Sequence, residues 1–421
     1  MGRYEFATHH GQDQGSNFNT AVELFAPLKA TGIYRTRWFR RHALLHGCTD
    51  LSYRKTVDHL NHARQQPGAT TLRTLCNAAE HESARVIQYL DRRADELLAG
   101  PRFDADGRPL FQAEPGAPET SRQPSSAIAT AIEKCLEENP SGDISAAQIA
   151  ANPVEYEPAG ENRTTGISID DVGVKKQKPA RKPGAASKGG DGKATDRKKA
   201  WTTVAHVERG QARYTLTADN VPAVLRLVSA LLVASGMDAA ELLFFTDGQR
   251  SLKDAIFDFW KVRGSIRLIL DWYHLQHKCR ELGSLGLKGS IAAKKVHIEE
   301  LRRLLWHGLV DRAIAYIDAL PPDAVRKPAV VDQIKGYLER NRPHIPCYAV
   351  RRELGLRCSS NPVEKENDVV VAHRQKKNGM SWSEDGSHAL ATLAALRRNR
   401  EEERWLHDGT LAFSLTQEEA A

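Results

Sequence analysis

Two short, almost wholly apolar runs, ELLFF at 241–245 and IRLIL at 266–270, each lead into an aspartate, Asp247 and Asp271. Runs of this length and apolarity read as buried strands, and the stretch between them, SLKDAIFDFWKV, has the spacing of an amphipathic helix. Upstream, GISIDDVGVKKQK alternates as a strand, TTVAHVERGQARYTLT reads as a hairpin turning at Arg209-Gly210, and VPAVLRLVSALLVASG as a helix. Strand, hairpin, helix, strand, helix, strand is an α/β order that builds a mixed sheet.

The remaining segments divide the chain. Residues 1–100 are expected to form an all-α, helix-turn-helix-like DNA-binding domain, with breaks at GCTD and QQPGATT and with Thr70 or Thr71 capping the last helix. Its run YRTRWFRRH interleaves Arg35, Arg37, Arg40 and Arg41 with Tyr34, Trp38 and Phe39, and a later helix carries Arg54, Lys55 and Arg64. Such groups suit phosphate contact, although a solvated helical bundle carries similar residues. Residues 101–160 read as a linker with a short helix, 161–275 as the first part of the α/β core, 276–358 as a helical insertion, and 359–421 as the last part of the core with a C-terminal helix. The stretch 178–200 is rich in Lys, Arg, Gly and Ala and reads as a basic loop.

Lys and Arg outnumber Asp and Glu by 60 to 53 in 421 residues, and the excess is clustered, which favours a polyanionic partner. The six cysteines are scattered and form no CxxC pair, as in a cytosolic protein with reduced thiols. No stretch approaches the roughly 18 apolar residues that span a bilayer, so a membrane function is not expected.

Acids gather where strands end. Asp170 and Asp171 follow ISI, Asp247 follows LLFFT, and Asp271 follows LIL; the carboxyl ends of strands in an α/β sheet face the crevice where ligands bind. Carboxylates collected there would suit Mg²⁺, and two such ions can drive an in-line displacement at phosphorus. Each acid also has a local reading as a helix cap or a solvated strand end. The same holds for NPVEKEND at 361–368, where Asn361, Pro362 and Glu364 fit an N-cap, a first-turn proline and a capping box. Asp368 lies one turn from Glu364 on the same face, and Glu366 points elsewhere.

Three blocks in order, ISIDDVGV, FFTDG followed by LILDWYHLQH, and VEKENDVVVAHRQKKNGMSWSEDG, resemble those of the DDE transposases of bacterial insertion sequences, in the branch with a helical insertion that is akin to Mutator-like elements. The resemblance implies a ribonuclease H-like core in which Asp170, Asp247 and Glu364 hold two Mg²⁺ or Mn²⁺ ions, with Asp171 as the alternative first acid and Asp368 as the reserve for the last. The family's acid-x-x-His falls on Asp271 and His274, in a structural or auxiliary role. Also implied are strand cleavage at transposon ends and strand transfer into target DNA, in the bacterial cytoplasm at the nucleoid, by a homodimer or larger synaptic assembly. His373, Arg374, Lys376 and Lys377 would hold phosphates, and Trp382 would stack on a base or pack in the core. The alternatives are a non-catalytic DNA-binding regulator derived from a transposase, or a nuclease of the same fold.

Overall fold

The computed structural model describes residues 37–63, 65–112, 123–139, 142–158, 164–177, 199–377 and 380–415. Arg35, Arg64, Gly379 and nearly all of the basic loop at 178–200 therefore lie outside the described residues. The chain separates into two compact units, one drawn from Met1–Tyr89, Val174–Ala200 and Val369–Ala412 and the other from Leu90–Gly173, Trp201–Asp368 and Phe413–Ala421.

The second unit is a mixed α/β structure around a five-stranded sheet of order β3-β2-β1-β4-β5, where β1 is Thr164–Lys175, β2 Lys199–Arg209, β3 Ala212–Ala218, β4 Glu241–Thr246 and β5 Ile266–Leu270. β2 and β3 form an antiparallel hairpin closed by Arg209 opposite Ala212, with Gly210 at φ 55°, the left-handed geometry that a two-residue turn requires. β4 runs parallel to both β1 and β5. β4 is covered on both faces, Leu243 and Phe245 lying in the core shared with the insertion helices and Phe244 against Trp260, which explains its unbroken apolar run from Leu242 to Phe245.

Val221–Ala234 is a helix capped by Asn220, whose side chain accepts from Ala223 N–H. Residues 276–358 are helical apart from turns and one isolated bridge, Leu287 with Val325; the helices include Ile291–Trp306, Val310–Asp318 and Pro328–Asn341. Their apolar faces share one core with Phe245, Ile269 and Leu270 of the sheet and with the helix Ser125–Glu137. The insertion thus completes the sheet's core, and Tyr348, fully buried, donates its hydroxyl to the carbonyl of Leu270 at 2.8 Å. A buried ion pair, Arg351 with Glu157, ties the end of the insertion to the segment ahead of β1.

The first unit is helical. Arg37–Phe39, Arg40–Gly47 and Cys48–Asp50 form one continuous helical run with a π-type middle, so GCTD is helix and the chain turns at Leu51 instead. Thr49 stabilises that run by bonding back to the carbonyl of Leu45. Tyr53–Ala63 and Leu72–Leu98 follow, the latter counted with this unit only as far as Tyr89 and preceded by Thr71, whose hydroxyl accepts from Thr74 N–H at 3.2 Å. Glu384–Arg398, a helix buried over most of Gly386 to Leu396, packs on the 40–50 run. Among the described residues, no helix is long and apolar enough to cross a membrane.

Candidate functional site

β1 does not stop at Asp170 and Asp171 but continues to Lys175. Its pairing with β4 ends at Ser168 opposite Phe245, so both acids lie beyond the edge of that ladder. The alternation changes phase between them, from Ile167 and Ile169 to Val172 and Val174, all buried; neither acid is then committed to the core face. They part company in their contacts. Asp171 is exposed and accepts from Thr203 Oγ1 of β2 at 2.5 Å. Asp170 is half-buried, its Oδ1 accepting from Asp171 N–H at 2.8 Å and its Oδ2 from Asn367 Nδ2 at 2.6 Å. Burial pushes its carboxyl up to about 6; the bond from Asp171 N–H opposes this, the charge of Asp247 adds to it, and His274 again opposes it.

Asp247 follows β4 directly, with Oδ1 accepting from Gln249 N–H at 2.7 Å and its carbonyl accepting from Tyr337 Oη at 2.8 Å. Gly248 makes this turn possible: its φ is +83°, and a Cβ there would lie 2.8 Å from both Leu270 Cδ1 and Tyr337 Oη.

Asp271 is fully buried. Its Oδ1 caps the helix Trp272–Glu281 by accepting from His274 N–H at 2.8 Å, and its Oδ2 accepts from both Ser360 N–H and Ser360 Oγ, the latter at 2.9 Å. Asp271 therefore braces the two helices that carry His274 and Glu364.

That brace also changes the start of the helix Asn361–Asn367. Its N-cap is Ser360, not Asn361, and no side-chain cap is made. The capping box is absent because the turn is held from outside by Asp271, which frees the Glu364 side chain. Glu364 Oε1 lies 3.3 Å from His274 Nε2, and both side chains are about half exposed. Asp368 is exposed at the start of a π-type turn, Asp368–Ala372. Glu366 is buried, accepting from Thr215 Oγ1 at 3.1 Å with His206 Nδ1 at 3.9 Å. Asn367, Ser360 and Tyr337 were not singled out in the sequence; Asn367 had one readable signal, its place three residues after Glu364 on the same helical face.

The expected DNA-contacting residues, all in the helical unit, fall into two groups. Arg40 is buried in a bidentate pair with Glu82 at 3.0 and 2.6 Å, and the Trp405 indole donates to the same carboxylate at 2.7 Å, so Arg40 is a core cation and not a phosphate ligand. Arg374 is likewise buried, donating to the carbonyl of Cys48 at 3.0 Å and lying 5.5 Å from the centre of the Tyr53 ring and 5.1 Å from that of Trp382. Trp382 is buried beneath it, its indole N–H on the carbonyl of Gln375 at 3.0 Å and its backbone bonded to Lys175 and Gln177. Of its two readings, core packing holds and base stacking does not. Arg54, Lys55, Lys376 and Lys377 are exposed, and Arg37 and Arg41 pair with Glu403 at the surface.

The donor chemistry of Asp170, Asp247 and Glu364 suits a hard divalent ion, and a buried carboxyl held near 6 beside another carboxylate is where a cation would relieve repulsion. Among the described residues, however, no three His, Cys, Asp or Glu side chains converge closely enough to hold a metal. Glu364 is turned to His274 and Asp170 to Asn367. No family model, no curated protein and no solved structure matches the chain.

Proposed function

We propose that the chain is a DDE-type DNA transposase, a polynucleotidyl transferase that cuts DNA at the ends of an insertion sequence and joins the freed 3′-hydroxyl to target DNA. The observation that carries this reading is the meeting of three blocks far apart in sequence. Asp170 is bonded to Asn367 and feels the charges of Asp247 and His274, and His274 faces Glu364. The strand order, with a hairpin on one side of β1 and parallel strands on the other, supports a ribonuclease H-like core for the sheet unit.

Asp170, Asp247 and Glu364 would hold Mg²⁺ or Mn²⁺, two ions in the resemblance, which would supply an activated attacking oxygen and charge neutralisation at phosphorus. His274 and Asn367 orient two of the three carboxylates. Exposed Arg54, Lys55, Lys376 and Lys377 would contact phosphates. Cutting two transposon ends together calls for a homodimer or larger assembly.

The test is Mg²⁺-dependent nicking of DNA carrying the terminal repeats that flank the gene, with Asp170→Asn, Asp247→Asn and Glu364→Gln compared against Asp171→Asn. Loss of a ligand is expected to cost at least about 100-fold, with Asp171→Asn close to wild type. Full activity of Glu364→Gln would sink the assignment. One observation favours the regulator reading, the pairing of Glu364 with His274 in place of a converged acid cluster; repeat binding by the wild type without any Mg²⁺-dependent nicking would decide for it.

A further inference from the structure

Two tyrosines of the helical insertion donate their hydroxyls to backbone carbonyls at the carboxyl ends of neighbouring strands, Tyr348 to Leu270 at the end of β5 and Tyr337 to Asp247 just past β4, each at 2.8 Å. Tyr337 fits there only because it meets a glycine. A Cβ on Gly248 would lie 2.8 Å from the tyrosine hydroxyl and 3.1 Å from Cε2 of its ring, so hydroxyl and ring edge rest directly on the turn. Lys278, from the helix that Asp271 caps, covers the ring with its ammonium 5.7 Å from the ring centre.

A second tether lies one turn further along the helix Pro328–Asn341. Asn341 Oδ1 accepts from the buried Lys253 at 2.8 Å, and Asn341 Nδ2 donates back to the carbonyl of Tyr337 at 2.9 Å. Lys253 belongs to the helix Arg250–Phe259, which begins two residues after Gly248. The insertion therefore grips this turn twice, at the Asp247 carbonyl and at the helix that leaves it. What needs holding is the Asp247-Gly248 peptide. Glycine accepts φ of either sign, so the peptide ahead of it can flip. A flip would reverse the Asp247 carbonyl and the Gly248 N–H, and break the 3.3 Å bond from that N–H to Thr246 Oγ1.

We infer that Tyr337 is a positioning residue for Asp247: by fixing the Asp247-Gly248 peptide it fixes the direction in which the Asp247 carboxylate leaves the strand end. The bond from Gln249 N–H to Asp247 Oδ1, at 2.7 Å, closes across the same peptide and depends on its orientation. Asp170 is met by the side chain of Asn367 and Glu364 by that of His274, whereas Asp247 is held through its backbone, from the insertion. The helical insertion thereby acquires a task at the strand ends themselves. The link to metal binding rests on the transposase reading; the clamp on the turn does not.

In the full chain, Tyr337→Phe keeps the ring and removes only the hydroxyl. Amide exchange at Gly248 and Gln249 is expected to accelerate at least about fivefold, the weight of one hydrogen bond, and Mn²⁺ affinity, followed by electron paramagnetic resonance, to fall about tenfold. Nicking should need about ten times more Mg²⁺ for its half-maximal rate and still reach nearly the wild-type rate at saturating Mg²⁺, a split that a general loss of stability would not produce. Tyr316→Phe removes a comparable hydroxyl, bonded to His297 Nδ1 at 2.7 Å within the insertion, and should change none of these. Accelerated exchange in Tyr337→Phe with no Mn²⁺ binding even by the wild type would support the clamp and count against the transposase reading. Unchanged exchange in Tyr337→Phe, equal acceleration at the same amides in Tyr316→Phe, or accelerated exchange with the wild type's Mn²⁺ affinity retained would overturn the inference.

Discussion

Asp271 sits where the resemblance puts an acid beside the catalytic set, and its contacts make a quantitative case for a brace. Asp271→Ala removes three hydrogen bonds at once. The N-cap on His274 N–H contributes about 1 kcal/mol, and each of the two bonds from Ser360 to a charged acceptor at least about 1.5 kcal/mol. The expected cost is about 4 kcal/mol, a large share of a domain's usual stability. Asp271→Asn is gentler, because the amide oxygen still caps His274 and the Ser360 hydroxyl can turn to accept from the new NH₂. The Ser360 N–H then faces a donor, and about 2 kcal/mol is lost. Urea titration of the sheet unit should rank the variants in that order, and amide exchange should accelerate at Ser360 in both but at His274 mainly in the alanine variant. An Asp271→Asn protein with an unchanged midpoint and unchanged exchange at Ser360 would refute the brace.

Two pH effects of opposite sign are expected in the same unit. Burial, reinforced by Lys253 and opposed by a bond to the backbone of Leu268, lowers the His344 imidazole to about 4. Between pH 6.5 and 4 the unfolded chain takes up a proton that the folded chain refuses, so this group removes stability as pH falls, by up to about 3 kcal/mol. Asp170 works the other way: held at about 6 by burial, its folded carboxyl keeps a proton that the unfolded chain releases, so stability falls as pH rises from about 3.8 to 6. Thermal midpoints across pH 4–7 should fall with acidification more steeply in Asp170→Asn than in the wild type, and less steeply in His344→Asn. Parallel profiles for the three proteins would show that neither group is perturbed.

The elements read most directly from the sequence are those whose burial is local and periodic. ELLFF and IRLIL announce strands because they are short apolar runs whose side chains are packed by helices, Leu243, Phe245, Ile269 and Leu270 all lying in the core shared with the insertion, and Gly210 announces the hairpin because a left-handed residue closes its two-residue turn. What could not be read is whatever a distant partner decides. Arg40 is an ordinary surface arginine until Glu82, 42 positions on, arrives with a carboxylate; Trp382 and Arg374 look like a DNA-facing pair until Tyr53 and Cys48 close over them. The continuation of β1 past its acids had left a trace, the shift of apolar residues from odd to even positions at Asp170-Asp171.

The three acids of VEKEND show how the two kinds of information combine. Helical geometry alone separates Glu364 and Asp368 from Glu366, and it makes Glu366 the natural inert comparison for a Glu364 substitution. Burial removes that convenience. A carboxylate left 1% exposed is tolerated only where polar partners meet it, and here Thr215 and His206 on the hairpin strands do so. Those contacts fix the rotation of the helix about its axis. With Glu366 locked inward, Glu364 is turned to His274 and Asn367 to Asp170. The acid least suited to binding a metal is thus the one that sets where the others point, so a loss of activity in Glu366→Gln cannot be read as loss of a ligand; exposed Asp171, whose side chain meets Thr203 and not the Glu364 helix, is the cleaner comparison.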